Sequence, residues 1–116
     1  MIDFIGSRWA DIAFRAYQHA SLVIQAVLIA TIIALAIAVL VTSYQRLAPV
    51  ANGISAVGLT IPSFALLGML IPLVGIGTLP AIIVVIFYAV LPILRNAVVG
   101  LQSVDKSLIE SARGLG

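Results

Sequence analysis

Side chains that could take part in catalysis are few in this sequence. It has four Asp and Glu, six Lys and Arg, one His and no Cys among 116 residues. Acid–base and nucleophilic catalysis use paired carboxylates, a cysteine thiolate or a Ser–His pair. The sequence has no paired carboxylates, no cysteine and no Ser–His pair at a credible depth. An intramembrane enzyme is therefore poorly supported. A formal net charge of +2 is also too small to favour nucleic acid as a partner.

Four of the ten charged side chains lie at the end of the chain, in DKSLIESARGLG, residues 105–116. Asp105 suits a helix N-cap. The apolar residues that follow share one face of a helix, and the charged residues share the other. These apolar residues are Leu108, Ile109, Ala112 and Leu115. The helix is too short and polar to span a bilayer, so its stripe must pack on the membrane surface, on the rest of the protein or in a socket of a partner subunit.

The remaining chain has the composition of a membrane protein. It is 63% hydrophobic and 9% charged, whereas soluble domains carry about 25% charged residues. Residues 22–43 form one apolar run that is long enough to cross the hydrocarbon layer. We therefore expect the lipid bilayer to be the main environment of this chain.

The uncharged stretch 47–94 is too long for one span and must fold back. GIGTLP, residues 75–80, suits the reversal, with Thr78 as a cap and Pro80 in the first turn of the next helix. The sequence thus predicts spans near 54–74 and 79–94. Gly58, four residues before Pro62, gives the first of these room to bend.

Residues 4–18 have helical periodicity, with Trp9 on an apolar face and Arg15 on a polar one. They predict an amphipathic helix in the membrane interface, so the chain divides into an N-terminal segment, 1–20, and a transmembrane domain, 21–116. The alternative is a longer first span with a ragged start. His19 is expected to be an interfacial residue.

Lys and Arg indicate the orientation. Two of them, Arg8 and Arg15, lie on the side that holds residues 1–20 and the 75–79 turn. The other side holds Arg46, Arg95, Lys106 and Arg113. The positive-inside rule places this second side in the cytoplasm and the N-terminus outside.

A few uncharged side chains inside the predicted spans could bind a ligand or form hydrogen bonds. Phe64, Phe87 and Tyr88 could stack on a quaternary ammonium, although packing is the commoner use of such rings. Gln25 is expected to make an interhelical hydrogen bond. Ser63 could satisfy a carbonyl that Pro62 frees.

The segment from Glu110 to Gly116, ESARGLG, resembles the Glu-Ala-Ala-x-x-x-Gly loop of binding-protein-dependent ABC importer permeases, with Ser111 in place of the first Ala. Residues 60–116 look more specifically like the osmoprotectant branch, which carries glycine betaine, carnitine and choline. The resemblance implies an all-α membrane protein with a truncated type 1 importer fold. That fold would have three transmembrane helices, an N-terminal interfacial helix and a cytoplasmic coupling helix, as an N-terminal fragment cut within the coupling loop.

The same resemblance implies a division of labour in a bacterial inner membrane. A second permease copy would complete the pathway, and an extracytoplasmic solute-binding protein would deliver substrate. A cytoplasmic ATP-binding subunit would bind ATP, so this chain would need no cofactor. Glu110, Ser111, Ala112 and Gly116 would form the contact with that subunit. The alternative reading is a small three-span scaffold or regulatory protein without transport activity.

Overall fold

The computed structural model describes residues 2–44 and 46–116, and the described part of the chain is helical with no strand. Two long helices are joined by two short ones, and a short helix lies at each end. The helices are α1 (Ile2–Ser7), α2 (Trp9–Ser43), α3 (Leu47–Gly58), α4 (Ser63–Val74), α5 (Thr78–Gln102) and α6 (Lys106–Gly114). The all-α class predicted from the sequence is confirmed.

Helix α2 is continuous over 35 residues, or about 52 Å. The prediction of an interfacial helix over 4–18 that is separate from the first span was therefore wrong about the helix boundary, because residues 9–43 form one helix. Arg8 separates this helix from the short helix α1, and the structure follows the alternative of a longer first helix. No Gly or Pro occurs between Trp9 and Ser43, so nothing in the backbone ends the helix where its surface turns from amphipathic to apolar.

Alanines allow α2 to approach its neighbours closely. Four of them recur at every fourth position and are at most 1% exposed: Ala26, Ala30, Ala34 and Ala38. Small side chains at this spacing let helix backbones pack tightly in membranes. The last two belong to a core that also includes Val41 of α2, Ala48 and Ala51 of α3, and Leu94 and Val98 of α5.

Helices α2 and α5 run in the same direction. The start of the apolar part of α2 and the start of α5 line one groove. The residues that line it there are Leu22 and Gln25 of α2 and Thr78 and Ile82 of α5. The later parts of the two helices meet in the core described above. Helices α3 and α4 therefore carry the chain from the end of α2 back to the level at which α5 begins.

The predicted span 54–74 is not one helix. Helices α3 and α4 meet at an angle of 91° across the break 59–62. Pro62 has φ −65° and ψ 130°, an extended conformation that a helix interior does not allow. Two helices, α2 and α5, are long and apolar enough to cross a membrane by themselves, and the bent pair would make a third crossing if it acts as one.

The turn before α5 lies where the sequence predicted it. Gly75 and Gly77 have positive φ values of 83° and 144°, which glycine adopts without strain. Gly77, not Thr78, occupies the N-cap position, so the predicted cap was off by one residue. Pro80 lies in the first turn as expected. Helix α5 continues to Gln102, eight residues beyond the predicted end at 94, because an exposed arginine such as Arg95 does not interrupt a helix.

Candidate functional site

Helix α6, which carries the charged segment, has Asp105 at its N-cap as predicted. The Asp105 carboxylate accepts a hydrogen bond of 2.8 Å from the backbone N–H of Ser107. This bond, reinforced by the Ser107 hydroxyl, lowers the pKa of Asp105 below its ordinary value. The cap defines the start of α6. Just before it, at the end of α5, the backbone N–H of Ser103 donates to the carbonyl oxygens of Val99 and Gly100.

The apolar stripe of α6 is uncovered. Leu108 is 64% exposed, Leu115 is 91% exposed, and Ile109 and Ala112 are also exposed. Within the described ranges, 2–44 and 46–116, α6 contacts no other helix. The stripe therefore does not pack on any other helix in these described ranges.

The four predicted site residues lie in the second half of α6 and directly after it. Glu110, Ser111 and Ala112 are consecutive, exposed helical residues. The Ser111 hydroxyl donates to the carbonyl of Ser107 at 2.8 Å, so its polar group is satisfied within the helix. Ser111 thus presents little more than a small side chain, as an alanine would.

Gly116 ends the helix in a conformation that favours glycine. Leu115 is the C-cap, and Gly116 follows with φ +89°. Its N–H donates to the carbonyl of Arg113 at 3.4 Å. A residue with positive φ directly after the C-cap is a common helix terminator, and a β-branched side chain is strained there.

The three aromatic candidates do not form a common site. Phe87 and Tyr88 pack edge to face with their ring centroids 5.4 Å apart. Phe64 is 86% exposed at the start of α4, and no ring pair involving it occurs in the described part of the chain. Stacking of all three rings on one quaternary ammonium is therefore not supported by this arrangement.

Two hydrogen-bond predictions were wrong. Gln25 donates to the carbonyl and hydroxyl of Ser21, at 3.1 and 2.9 Å, rather than to another helix. A serine one turn away is within easy reach and satisfies the amide first. The carbonyl of Ile61, freed by the break at Pro62, accepts from the hydroxyl of Tyr88 on α5 rather than from Ser63.

Sequence reasoning missed this role of Tyr88, and it missed two buried acceptors on α3. The Oδ1 of Asn52 and the Oγ of Ser55 lie one turn apart and have no hydrogen-bond partner among the residues that the structure describes, and Ser55 is fully buried. The signal for Tyr88 was the proline-induced break, because a break in the bilayer frees carbonyls that some hydroxyl must satisfy.

Comparison with known proteins decides the family. Residues 26–116 match the family model described as "Binding-protein-dependent transport system inner membrane component". The chain belongs to this family. The match includes α3 to α6 and the second half of α2, so all four predicted site residues lie within it.

Several curated relatives of this inner membrane component are transport permeases. The carnitine transport permease protein OpuCB of Listeria monocytogenes is 39% identical over 116 residues, covering 100% of this chain and 53% of the relative. The choline transport system permease protein OpuBB of Bacillus subtilis is 35% identical over 116 residues, covering 100% and 54%. The osmoprotectant import permease protein OsmW of Salmonella typhimurium is 42% identical over 110 residues, covering 90% and 51%.

The chain thus spans about half the length of the curated relatives it matches. No solved structure matches it. The family assignment and the two long apolar helices together establish an integral membrane protein of a transport system.

Proposed function

We propose that this chain is part of the permease subunit of an ATP-driven importer for small quaternary ammonium osmoprotectants. The family description supports a membrane component that works with a binding protein. Relatives are named for carnitine, for choline, and for glycine betaine, carnitine and choline together. These solutes share a quaternary ammonium group, so we assign the chain to this chemical class without choosing one member.

The observation that carries the proposal is the free helix α6. Its apolar stripe is exposed, it contacts no other helix in the described part of the chain, and a capped start and a glycine end define it. A short amphipathic helix in this state suits docking into a groove of a partner. In the proposed importer that partner is the cytoplasmic ATP-binding subunit, and α6 transmits its movement to α5.

The site residues have distinct roles in this proposal. Glu110 fixes orientation through polar contacts with the ATP-binding subunit. Ser111 and Ala112 allow close approach, since both present small side chains. Gly116 permits the turn that lets the chain leave the socket, because its φ is +89°.

The remaining assembly follows from the same proposal. A second permease copy completes the pathway, and an extracytoplasmic solute-binding protein delivers the solute. ATP is bound by the partner, so the proposed chain carries no cofactor. It is a multi-pass protein of the bacterial inner membrane, and the larger number of Lys and Arg near α3 and α6 supports an extracytoplasmic N-terminus.

The test compares Glu110→Lys and Gly116→Val with wild type in the permease at its full encoded length. Reversing a charge inside an interface, or straining the turn, should weaken ATPase association about ten- to a thousandfold. Co-purification of the ATP-binding subunit and uptake of radiolabelled glycine betaine, carnitine and choline are measured together. Asp11→Lys, a charge reversal on an exposed residue of α2, is the matched control.

Glu110→Lys and Gly116→Val should both lose the ATPase and uptake, while the control and solute binding by the extracytoplasmic protein stay at wild-type levels. If both variants keep the ATPase and normal uptake, α6 is not the coupling element. If wild type takes up none of the three solutes, the assigned substrate class is wrong.

A further inference from the structure

A groove of about 670 Å³ lies between the first half of α2 and the start of α5. Its lining changes in character along α2. Arg15, Gln18 and His19 line one part, and Ala26 and Ile29 line another, where Ile82 of α5 faces them. Arg15 and Ile29 are 14 positions apart, or about 21 Å along the helix axis. The groove is therefore polar toward the beginning of α2 and apolar toward its middle.

The position of the polar part along α2 matches the depth expected for lipid headgroups. Arg15 precedes the apolar run that begins at Leu22 by seven residues, about 10 Å along the helix. Tyr17, which also lines the groove, is of a type enriched at the membrane–water interface. The apolar part lies among residues that match the hydrocarbon layer. A ligand that fills the whole groove must be amphiphilic in the same direction.

The charge of the groove selects the headgroup. Arg15 and His19 are four residues apart, so their side chains share one face of α2. None of the described residues that line the groove is acidic. Asp11, one turn before Arg15, lines a separate hollow that Arg15 also borders. A guanidinium with further donors nearby suits a phosphate, which it can bind with two hydrogen bonds.

The polar side chain in the middle of the groove already has its hydrogen-bond partner within α2. The amide of Gln25 is occupied by Ser21, with donor–acceptor distances of 2.9 and 3.1 Å. This leaves a weakly polar zone between the charged and apolar parts, where the ester groups of a lipid would lie. Another protein helix in the same position would have to take Arg15 out of water and supply an acid to pair with it. An anionic lipid brings its own counter-charge.

We propose that this groove binds one anionic phospholipid. Its phosphate lies against Arg15 and His19, and one acyl chain follows Ala26, Ile29 and Ile82. The site is independent of the solute that the permease carries, so its failure would leave the proposed function untouched.

The test uses the permease purified at its full encoded length and titrated with phosphatidylglycerol, and native mass spectrometry counts the bound lipid. Arg15→Gln removes the phosphate ligand, and we expect Kd to rise about tenfold. Arg15→Lys keeps the charge and should retain most of the binding. Arg8→Gln is the matched control, because Arg8 is exposed on the same side but lies outside the groove.

A second pair of variants examines the apolar part. Ile29→Trp fills the channel for the acyl chain and should weaken binding as much as Arg15→Gln does. Leu28→Trp adds the same volume at a neighbouring exposed position of α2 that does not line the groove. It should leave binding unchanged. Phosphatidylcholine, titrated in parallel, should bind wild type about tenfold more weakly because it lacks net negative charge.

The proposal holds if Arg15→Gln and Ile29→Trp both lose phosphatidylglycerol while the two controls keep it. It is overturned if all variants bind as wild type does. It is equally overturned if only Arg15→Gln loses binding, because the acyl chain then lies elsewhere, or if phosphatidylcholine binds as tightly as phosphatidylglycerol.

Discussion

The hydroxyl of Tyr88, in the middle of α5, donates a hydrogen bond to the carbonyl oxygen of Ile61 in the break between α3 and α4. The two residues are 27 positions apart in sequence. The bond satisfies a backbone acceptor that has lost its helical partner because of Pro62. It therefore connects the bend of the α3–α4 pair to the long helix beside it.

Removing this hydroxyl should loosen the bend. Tyr88→Phe keeps the ring and its edge-to-face contact with Phe87, but leaves the Ile61 carbonyl without its partner. Such a hydrogen bond contributes about 0.5–1.5 kcal/mol to stability, so the thermal unfolding midpoint should fall. Circular dichroism in detergent micelles measures it. Tyr44→Phe, at an exposed tyrosine after α2, is the control. Equal unfolding midpoints for the two variants would show that the Tyr88 hydroxyl does not stabilise the bend.

Gly58 allows α3 to pack closely on α5. A Cβ atom at this position would lie 2.8 Å from Cδ1 of Leu91, which is 5% exposed. Gly58→Ala should be nearly neutral, since the end of a leucine side chain can shift and alanine favours the helix. Gly58→Val adds two further methyl groups and should cost about 1–3 kcal/mol of unfolding free energy.

A double-mutant cycle identifies the cause. Leu91→Ala combined with Gly58→Val should restore part of the loss, because it removes the atoms that clash. Gly53→Val is the matched control, because among the described residues no atom beyond the adjoining backbone of α3 lies within 4 Å of the Cβ added at Gly53. If Gly58→Val and Gly53→Val have the same effect on unfolding, close packing at Leu91 is not the reason for the glycine.

The features predictable from sequence are those that a few neighbouring residues determine. The cap at Asp105, the turn at Gly75 and Gly77, and the bend near Pro62 each follow from the backbone preferences of adjacent residues. The family motif around Glu110 is also local. Its role in coupling stays a prediction until the α6 variants are measured.

The features that sequence reasoning missed depend on residues distant in the chain or on competition between partners. Periodicity shows which face of a helix is polar, but it does not show where the helix ends. The segment boundary predicted at residue 20 therefore falls inside the continuous helix α2. The contact of Tyr88 with Ile61 depends on how α5 packs beside the break. Gln25 had both an interhelical and a local option, and only the geometry of Ser21 decides between them.

The cap of α6 makes its stability sensitive to acid. The hydrogen bond from Ser107 depresses the pKa of Asp105 in the folded state below its ordinary value of 3.8. A depressed folded pKa means that the stabilisation is fully present above the ordinary value and is lost as pH falls through the folded pKa. We therefore expect α6 to fray only below about pH 4, as followed by the chemical shifts of its amides.

Substitution at the cap should reproduce this loss at neutral pH. Asp105→Ala removes the acceptor, and we expect amide hydrogen exchange in the first turn of α6 to become about fivefold faster. Asp105→Asn keeps a side-chain oxygen at the N-cap and should exchange nearly as slowly as wild type, while losing the dependence on acid. Unchanged exchange in Asp105→Ala would show that the cap does not hold the helix.

Membrane orientation can be measured directly, because the chain contains no natural cysteine. The structure places the beginnings of α2 and α5 at one end of the pair and their later parts at the other. Single cysteines at the exposed residues Ser7 and Thr78 should thus behave alike, and so should cysteines at Ser43 and Ser103. Lys and Arg on the second side outnumber those on the first four to two, so Ser7 and Thr78 should react from outside intact cells with a maleimide that does not cross membranes. Ser43 and Ser103 should react only after the cells are opened.

Labelling of Ser43 but not Ser7 from outside would reverse the orientation and place α6 away from any cytoplasmic ATPase. If Ser7 and Thr78 differ in their labelling, the α3–α4 pair does not return the chain to the side on which α2 begins.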